Sequence, residues 1–316
     1  MRKFKLRDQV ARKMKGIESE EFTIPGKSGS ELPVSGEPSQ ERTEEKSLDS
    51  FHVCSRTDIG LIRKSNQDAV ILDSWLMGVA DGMGGHNGGE TASSEARDGM
   101  IRETKDCIPD EDTFEKAIQR VNTSLWEMQL QNVALSGMGT TLTVLWPAPE
   151  RMLIGQVGDS RAYLLRNGEF SQVTKDHSMV ADMVRRGMLT EEQAACHPMR
   201  NYITRAVGTE PEIKADITSV PRMKGDRWLV CSDGLYGSMD KQRLSNLLSM
   251  QNLDEAADQM IREALDAGGR DNITLILAED QTGGAASVPA DDALDETDLS
   301  LTDAAVKEPT AEGRAE

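Results

Sequence analysis

Four aspartates stand where strand-like apolar runs stop or start. Asp81 follows WLMGVA and precedes Gly82, Asp159 follows MLIGQVG, Asp233 follows RWLVCS and precedes Gly234, and Asp271 leads into NITLILA beside Asn272. A run of β-branched and other apolar residues that halts at Asp-Gly reads as a buried strand ending in a tight turn. One such end is ordinary, because Asp and Gly are turn residues. Four of them, with no His or Cys cluster elsewhere, point to strand ends converging on a hard cation. Carboxylates and backbone carbonyls are the ligands that Mg²⁺ and Mn²⁺ prefer.

The balance of charge narrows the partners. Against 54 acidic residues stand 36 basic ones, a formal charge of -18. A nucleic-acid surface needs a basic patch to neutralise phosphates, so no nucleic-acid partner is expected. A phosphorylated substrate stays open, since the field at a metal site can oppose the net charge. The cysteines, Cys54, Cys107, Cys196 and Cys231, are scattered with no CxxC pair. They read as reduced thiols of a cytoplasmic protein. No stretch approaches the roughly 18–20 apolar residues of a membrane span, and no apolar signal core follows the basic N-terminus. No stable membrane insertion is expected.

The 316 residues allow one large domain or two small ones, and 37% hydrophobic content leaves some length outside a core. Residues 1–15 carry Arg2, Lys3, Lys5, Arg7, Arg12, Lys13 and Lys15 against Asp8 alone. This basic head reads either as a solvated tail or as a weak contact for anionic lipid or an acidic partner. The Ser-, Glu-, Gly- and Pro-rich stretch 16–50 reads as a disordered linker, and 281–316 as an acidic disordered tail. Between them, 51–280 reads as one domain. Strands are predicted over 51–57, 68–73, 75–80, 140–146, 152–158, 161–166, 215–220, 227–232 and 272–278. Helices are predicted over 89–106, 111–131, 178–187, 240–250 and 253–267. Asn167-Gly168 signals a hairpin turn. Paired strands and paired helices are the pattern of an α+β fold with antiparallel sheets, not of βαβ alternation.

Hydrolysis of a phosphate ester needs a nucleophile at neutral pH, charge on the phosphoryl oxygens neutralised, and in-line positioning. Two divalent ions about 3.5–4 Å apart serve the first two needs. Carboxylates drawn from distant segments would hold such ions, and Arg63, in a turn between predicted strands, is a candidate for bidentate phosphate recognition. With that chemistry in view, an ordered set of motifs is informative: GLIRKSNQDAV (60–70), VADGMGGHNGGETAS (79–93), GMGTTLTVL (137–145), GQVGDSRAYLLRNGEFSQVTKDHSMV (155–180), NYITRAVG (201–208), WLVCSDGLYGSM (228–239) and GGRDNITLIL (268–277). In order and spacing the chain resembles bacterial metal-dependent Ser/Thr protein phosphatases of the type 2C, or PPM, family.

The resemblance implies an αββα sandwich of two antiparallel sheets flanked by helices, with a dinuclear Mn²⁺ or Mg²⁺ site at one edge. It implies hydrolysis of phosphoserine and phosphothreonine on proteins by in-line attack of a metal-bridging hydroxide, opposing a bacterial-type Ser/Thr kinase. The sequence carries no oligomer signal, and a monomer is the default expectation. Asp81 would bridge both metals, the Gly82 carbonyl would bind the second, and Asp233 and Asp271 would complete the first. Arg63 would hold the substrate phosphate. Gln67 and Asp68 would hold metal-bound waters, and Asp159 would join Asp233 at a weaker third metal. Residues 178–212 would form a flap beside the site. From the residues themselves, Asp68 also reads as a turn residue, Asp159 as a loop-stabilising residue, Asp176 as a helix cap, and His86 as either cleft-lining or a helix-entry residue. The flap methionines read either as a contact surface or as packed inward. Two departures stand out. Gln67 replaces a Glu found in some, mainly eukaryotic, members, and Met83 replaces a His proposed as general acid. Other readings are a pseudophosphatase binding module and a hydrolase of small phosphoesters.

Overall fold

The computed structural model describes residues 50–84 and 88–284, and the statements below concern those residues. The expectations for the basic head, the linker, the segment beyond 284 and His86 lie outside them. In chain order come β1 (Phe51–Asp58), β2 (Asp68–Asp73), β3 (Leu76–Met83), α1 (Gly88–Thr104) and α2 (Glu111–Gln131). Then follow β4 (Gly139–Thr140), β5 (Leu142–Pro147), β6 (Arg151–Val157), β7 (Arg161–Arg166), β8 (Glu169–Gln172), α3 (Met179–Arg185) and α4 (Glu191–Ala195). The last elements are β9 (Asp216–Pro221), β10 (Arg227–Cys231), α5 (Asp233–Tyr236), α6 (Lys241–Leu248), α7 (Leu253–Asp266) and β11 (Ile273–Asp280).

Two antiparallel sheets result. One has the order β1-β11-β10-β7-β8; the other has β2-β3-β5-β6-β9, with β4 paired to β3. Successive side chains on a strand point to opposite faces, and here both faces are covered. Val53, Val230, Ile276 and Ala278 meet Met77, Val79, Leu145 and Ile154 between the sheets. Their chain neighbours Cys54, Leu229, Leu275 and Leu277 turn the other way, onto Leu244, Leu247, Ala257 and Met260 of α6 and α7. On the far side, Val144, Trp146 and Leu153 pack on Ala92 and Ala96 of α1 and on Phe114, Ile118 and Val121 of α2. The layers are helix, sheet, sheet, helix, an αββα sandwich. Strands buried on both faces read as continuous apolar runs, which is how they look in the sequence.

Local signals explain the element bounds. Asp110 caps α2 by accepting Thr113 N–H at 2.9 Å. Asn167 and Gly168 both have positive φ, +52° and +82°, as a two-residue hairpin between β7 and β8 requires. Two expectations are corrected, and one strand is new. β3 does not stop before Asp81: it continues to Met83, because Gly82 and Met83 pair with Thr140 and Gly139 of β4. The polar strand β8 was not expected. Asp176 is not a helix cap. Ser178 caps α3, accepting Ala181 N–H at 3.3 Å, while Asp176 pairs with Arg161 at 2.7 Å.

The two ends of the fold are tied together. Gln281 N–H donates to Ser50 O at 2.9 Å. Arg222 donates to Asp280 at 2.7 and 3.0 Å and to Ser50 Oγ at 3.0 Å, with its guanidinium 4.6 Å from the centre of the Phe51 ring. Gly283 N–H reaches Asp280 Oδ1 at 2.8 Å, so hydrogen bonding continues past the end of β11.

Candidate active site

The ends of β2, β3, β10 and β11 and the loop between β6 and β7 carry all the expected acidic residues. Asp68 lies directly across from Asp81 in the β2–β3 ladder. The Asp81 backbone is fixed on both sides: its N–H donates to Thr141 Oγ1 at 2.9 Å, and its carbonyl accepts Thr141 N–H at 2.8 Å and Thr140 Oγ1 at 2.9 Å. Gly82 follows at a point of close approach. A Cβ there would stand 2.0 Å from Gly89 O and 2.5 Å from Gln67 O, so only glycine fits. From the opposite sheet, Ser232 Oγ donates to Asp68 Oδ2 at 2.8 Å. Asp233 opens α5, and Asp271 directly precedes Asn272 and β11.

These carboxylates crowd one another. Desolvation first, and then the charges of Asp68, Asp233, Asp159 and Asp271, push the Asp81 carboxyl well above the usual range. Desolvation, with Asp159 and Asp271, raises Asp233 likewise. Burial lifts Asp68 against the hydrogen bonds from Thr274 and Ser232. Asp159, only 5% exposed, is pushed up to about 7 by burial and then by Asp176. Like charges gathered in a poorly solvated place favour either protons or a cation.

The donor set fits hard divalent ions. It is all oxygen, from Asp81, Asp233, Asp159 and Asp271 with the Gly82 carbonyl, and it holds no thiolate or imidazole. Asp68 Oδ1 is buried without a hydrogen-bond partner, the position of an acceptor that awaits a donor such as a bound water. No three acidic, His or Cys side chains among the described residues form a finished coordination shell. One reason is visible: Asp271 Oδ2 is taken by Arg63 Nη2 at 2.6 Å, and Asp271 Oδ1 accepts Asn272 N–H at 2.8 Å.

Arg63 sits on a tightly held loop. Asn272 Nδ2 donates to Ile59 O and Ser65 O at 3.0 Å each, and Asn272 Oδ1 accepts Gln67 N–H at 2.9 Å. The guanidinium is about half exposed. The hydrogen bond to Asp271 strengthens its charge, as do Asp81 and Asp233 beyond. The Gln67 side chain lies against Gly89, at the start of α1. On the other flank, Tyr236 Oη donates to Asp159 O at 3.0 Å, and Arg161 stacks 3.7 Å over the Tyr236 ring while holding Asp176. Residues 178–203 leave and return through a bridge between Ser178 and Ile203. Within this segment Met188 and Met199 face solvent, whereas Met179 and Met183 are half-buried. Arg186 and Arg200 are exposed.

The protein phosphatase 2C family model matches residues 63–274 of this chain. The chain belongs to the protein phosphatase 2C family. Its relatives in that family include the serine/threonine phosphatase stp of Listeria monocytogenes, 38% identical over 241 residues, covering 72% of this chain and 96% of the relative. The serine/threonine protein phosphatase PstP of Mycobacterium tuberculosis is 38% identical over 228 residues, 71% of this chain but 44% of that protein. The chain thus spans about half the length of that relative. Among solved structures, the PstP catalytic domain in complex with two manganese ions aligns with a TM-score of 0.69 at 34% identity, covering 74% of this chain and 99% of that one.

The candidate site also rests on residues to which the sequence reading gave no role: Asn272, which staples the Arg63 loop, Ser232, which holds Asp68, and Tyr236. Each is a polar residue in or beside an apolar strand. Their only sequence signal is that a polar group buried in such a place needs a partner.

Proposed function

We propose that this chain is a divalent-metal-dependent phosphatase that hydrolyses phosphoserine and phosphothreonine on proteins, opposing a bacterial-type Ser/Thr kinase as a cytoplasmic monomer. The observation that carries the reading is the gathering of Asp81, Asp159, Asp233 and Asp271, with Asp68 behind them, at strand ends of both sheets beside the half-exposed Arg63 cation. Among the described residues no helix is long and apolar enough to cross a membrane.

Bound by these groups, a pair of Mn²⁺ or Mg²⁺ ions supplies Lewis acidity on the phosphoryl oxygens and activates water as a nucleophile at neutral pH. Asp81 would be shared between the ions, with the Gly82 carbonyl on the second and Asp233 and Asp271 on the first. Asp159 would join Asp233 at a third, weaker ion. Gln67 and Asp68 would accept hydrogen bonds from the waters that fill the shell. Arg63 would grip the phosphate oxygens and orient the ester for in-line displacement. Met83 has no proton to give the departing alkoxide. Turnover of p-nitrophenyl phosphate and of a phosphothreonine peptide, each with and without Mn²⁺, tests the reading. Peptide turnover only with the metal supports it, and hydrolysis of small esters alone overturns the protein-substrate assignment.

Two further results are expected. Arg63→Ala should weaken phosphosubstrate affinity by about 1.5–3 kcal/mol, the scale of a charge-assisted hydrogen bond. Metal affinity, read by calorimetric titration, should hold or rise, because Asp271 loses a competitor. Lost metal binding would instead make Arg63 a support of the metal shell. A chain cut to residues 49–284 keeps the Ser50, Thr282 and Gly283 contacts and should retain p-nitrophenyl phosphate turnover within about threefold, roughly 0.7 kcal/mol of barrier. A loss beyond tenfold, or insolubility, would show that the removed segments contribute to the fold.

A further inference from the structure

Behind Asp159 lies a polar cluster, built on the buried His177, for which the proposed reaction has no use. Gly158 has φ +99°, and a Cβ there would stand 2.7 Å from the Thr141 side chain. His177 holds this turn twice. Its backbone N–H donates to Gly158 O at 2.8 Å, and its ring Nδ1 faces Gly158 N–H at 3.2 Å. A backbone N–H can only donate, so Nδ1 is the bare nitrogen and Nε2 carries the hydrogen. Nε2 lies 3.2 Å from Asp216 Oδ2, its acceptor on the other side. Arg205 Nη1 stands 3.1 Å from Nε2 as a second donor, and it donates to Asp216 Oδ1 at 2.9 Å. Burial pushes the ring's pKa down; Asp216 opposes this and the Arg205 charge adds to it.

The cluster connects two places. Toward the site, Gly158 O and Ser160 O both accept from Gln156 Nε2 at 2.9 Å. Ser160 Oγ meets Thr141 Oγ1 at 2.8 Å, and Thr141 Oγ1 in turn accepts the Asp81 N–H. Toward the surface, His177 O accepts Thr204 N–H at 2.8 Å, just outside the bridge that closes residues 178–203. A buried histidine that merely fills space need not pin a left-handed turn whose next side chain is a buried carboxylate.

We propose that His177, oriented by Asp216, is a positioning residue that sets the Gly158–Asp159 turn and so aims the Asp159 carboxylate. This rests on reading Asp159 as a cation ligand. The test uses the full chain, Mn²⁺ titration by calorimetry, and amide exchange at Gly158. His177→Phe removes both ring hydrogen bonds. It should weaken the weakest Mn²⁺ phase at least about tenfold while the tighter phases stay within about threefold, the scale on which outer-shell partners act. Exchange at Gly158 should quicken by about tenfold, the loss of one hydrogen bond. His177→Asn places an amide oxygen near the Nδ1 position and should restore most of both.

A folded His177→Phe with unchanged Mn²⁺ phases and unchanged exchange overturns the proposal. Asp159→Asn in the same titration separates the two readings. If it leaves the weak phase as it was, Asp159 is no ligand. The exchange rate at Gly158 then decides the positioning of the turn, and unaltered exchange in His177→Phe overturns it. Should His177→Phe fail to fold, Asp216→Ala, at a half-exposed carboxylate, should move both readouts the same way by about threefold. No movement in either would be equally fatal.

Discussion

Replacing Asp233 by Asn should lower turnover by at least about a hundredfold while the fold is kept. The substitution is nearly isosteric. The backbone of the first turn of α5, with Gly237 N–H on Asp233 O at 2.8 Å, is untouched. What is lost is one charge from a set of mutually repelling carboxylates. The variant should therefore be no less stable than the parent in chelator, and by removing repulsion it should melt somewhat higher. Activity and stability would move in opposite directions, as expected where a site is held in a strained electrostatic state for function. Asp271→Asn should cost as much turnover and should also loosen Arg63, which loses its charged partner at 2.6 Å. Steady-state turnover at saturating Mn²⁺ with parallel melting curves checks both. Near-normal turnover in Asp233→Asn would mean that the site is elsewhere.

Chelation should abolish turnover, and Mn²⁺ or Mg²⁺ should restore it; full activity in chelator, or rescue by Zn²⁺ alone, would overturn the two-metal reading. The same experiment has a pH signature. Asp159 is raised from 3.8 to about 7 in the fold, and Asp81 and Asp233 are raised in the same direction. A carboxyl with a raised folded-state pKa favours folding fully only below its unfolded value, and that contribution fades as pH climbs through the folded value. The chelated protein should therefore lose stability between about pH 4 and pH 7. A bound cation keeps the carboxylates ionised and removes that loss. The melting-temperature gap between loaded and chelated protein should widen with pH by about 5–10 °C, on the order of a few kcal/mol. A gap that is flat or shrinks from pH 5 to pH 8 would show that the acids do not titrate together as argued.

Much of the fold was readable because it rests on periodicity. Phe114, Ala117, Ile118, Val121 and Leu125 repeat at helical spacing, and α2 spans Glu111–Gln131 as that spacing predicts. Runs such as ITLILA read as strands, since each is buried on both faces. β8 did not stand out, because EFSQ is a half-exposed edge whose pairing to β7 is decided by the Asn167-Gly168 turn and not by apolar content. Asp-Gly is turn chemistry, so the sequence alone puts Asp81 beyond its strand. In the fold, β4 arrives from about 60 residues away to extend the ladder past it. The convergence of acidic residues at strand ends was legible as a pattern. The Arg63–Asp271 pair, 208 residues apart in sequence, and the Asn272 staple were not, since side-chain geometry at such separation has no local signal.

The joined ends of the fold also decide how it would respond to tension. β1 and β11 are antiparallel, and Phe51 and Asp280 sit opposite each other at the same end of the ladder. A pull applied through the two chain ends would load the hydrogen bonds of this pair one at a time, like a zipper, and not all together in shear. The first contacts to part would be Gln281 to Ser50 and the Arg222 grip on Ser50, at the end of the ladder opposite to Asp271. Stretched from its ends, the sandwich should open as a peeling β1 at low force, with the layer of α1, α2 and their sheet the last to give way.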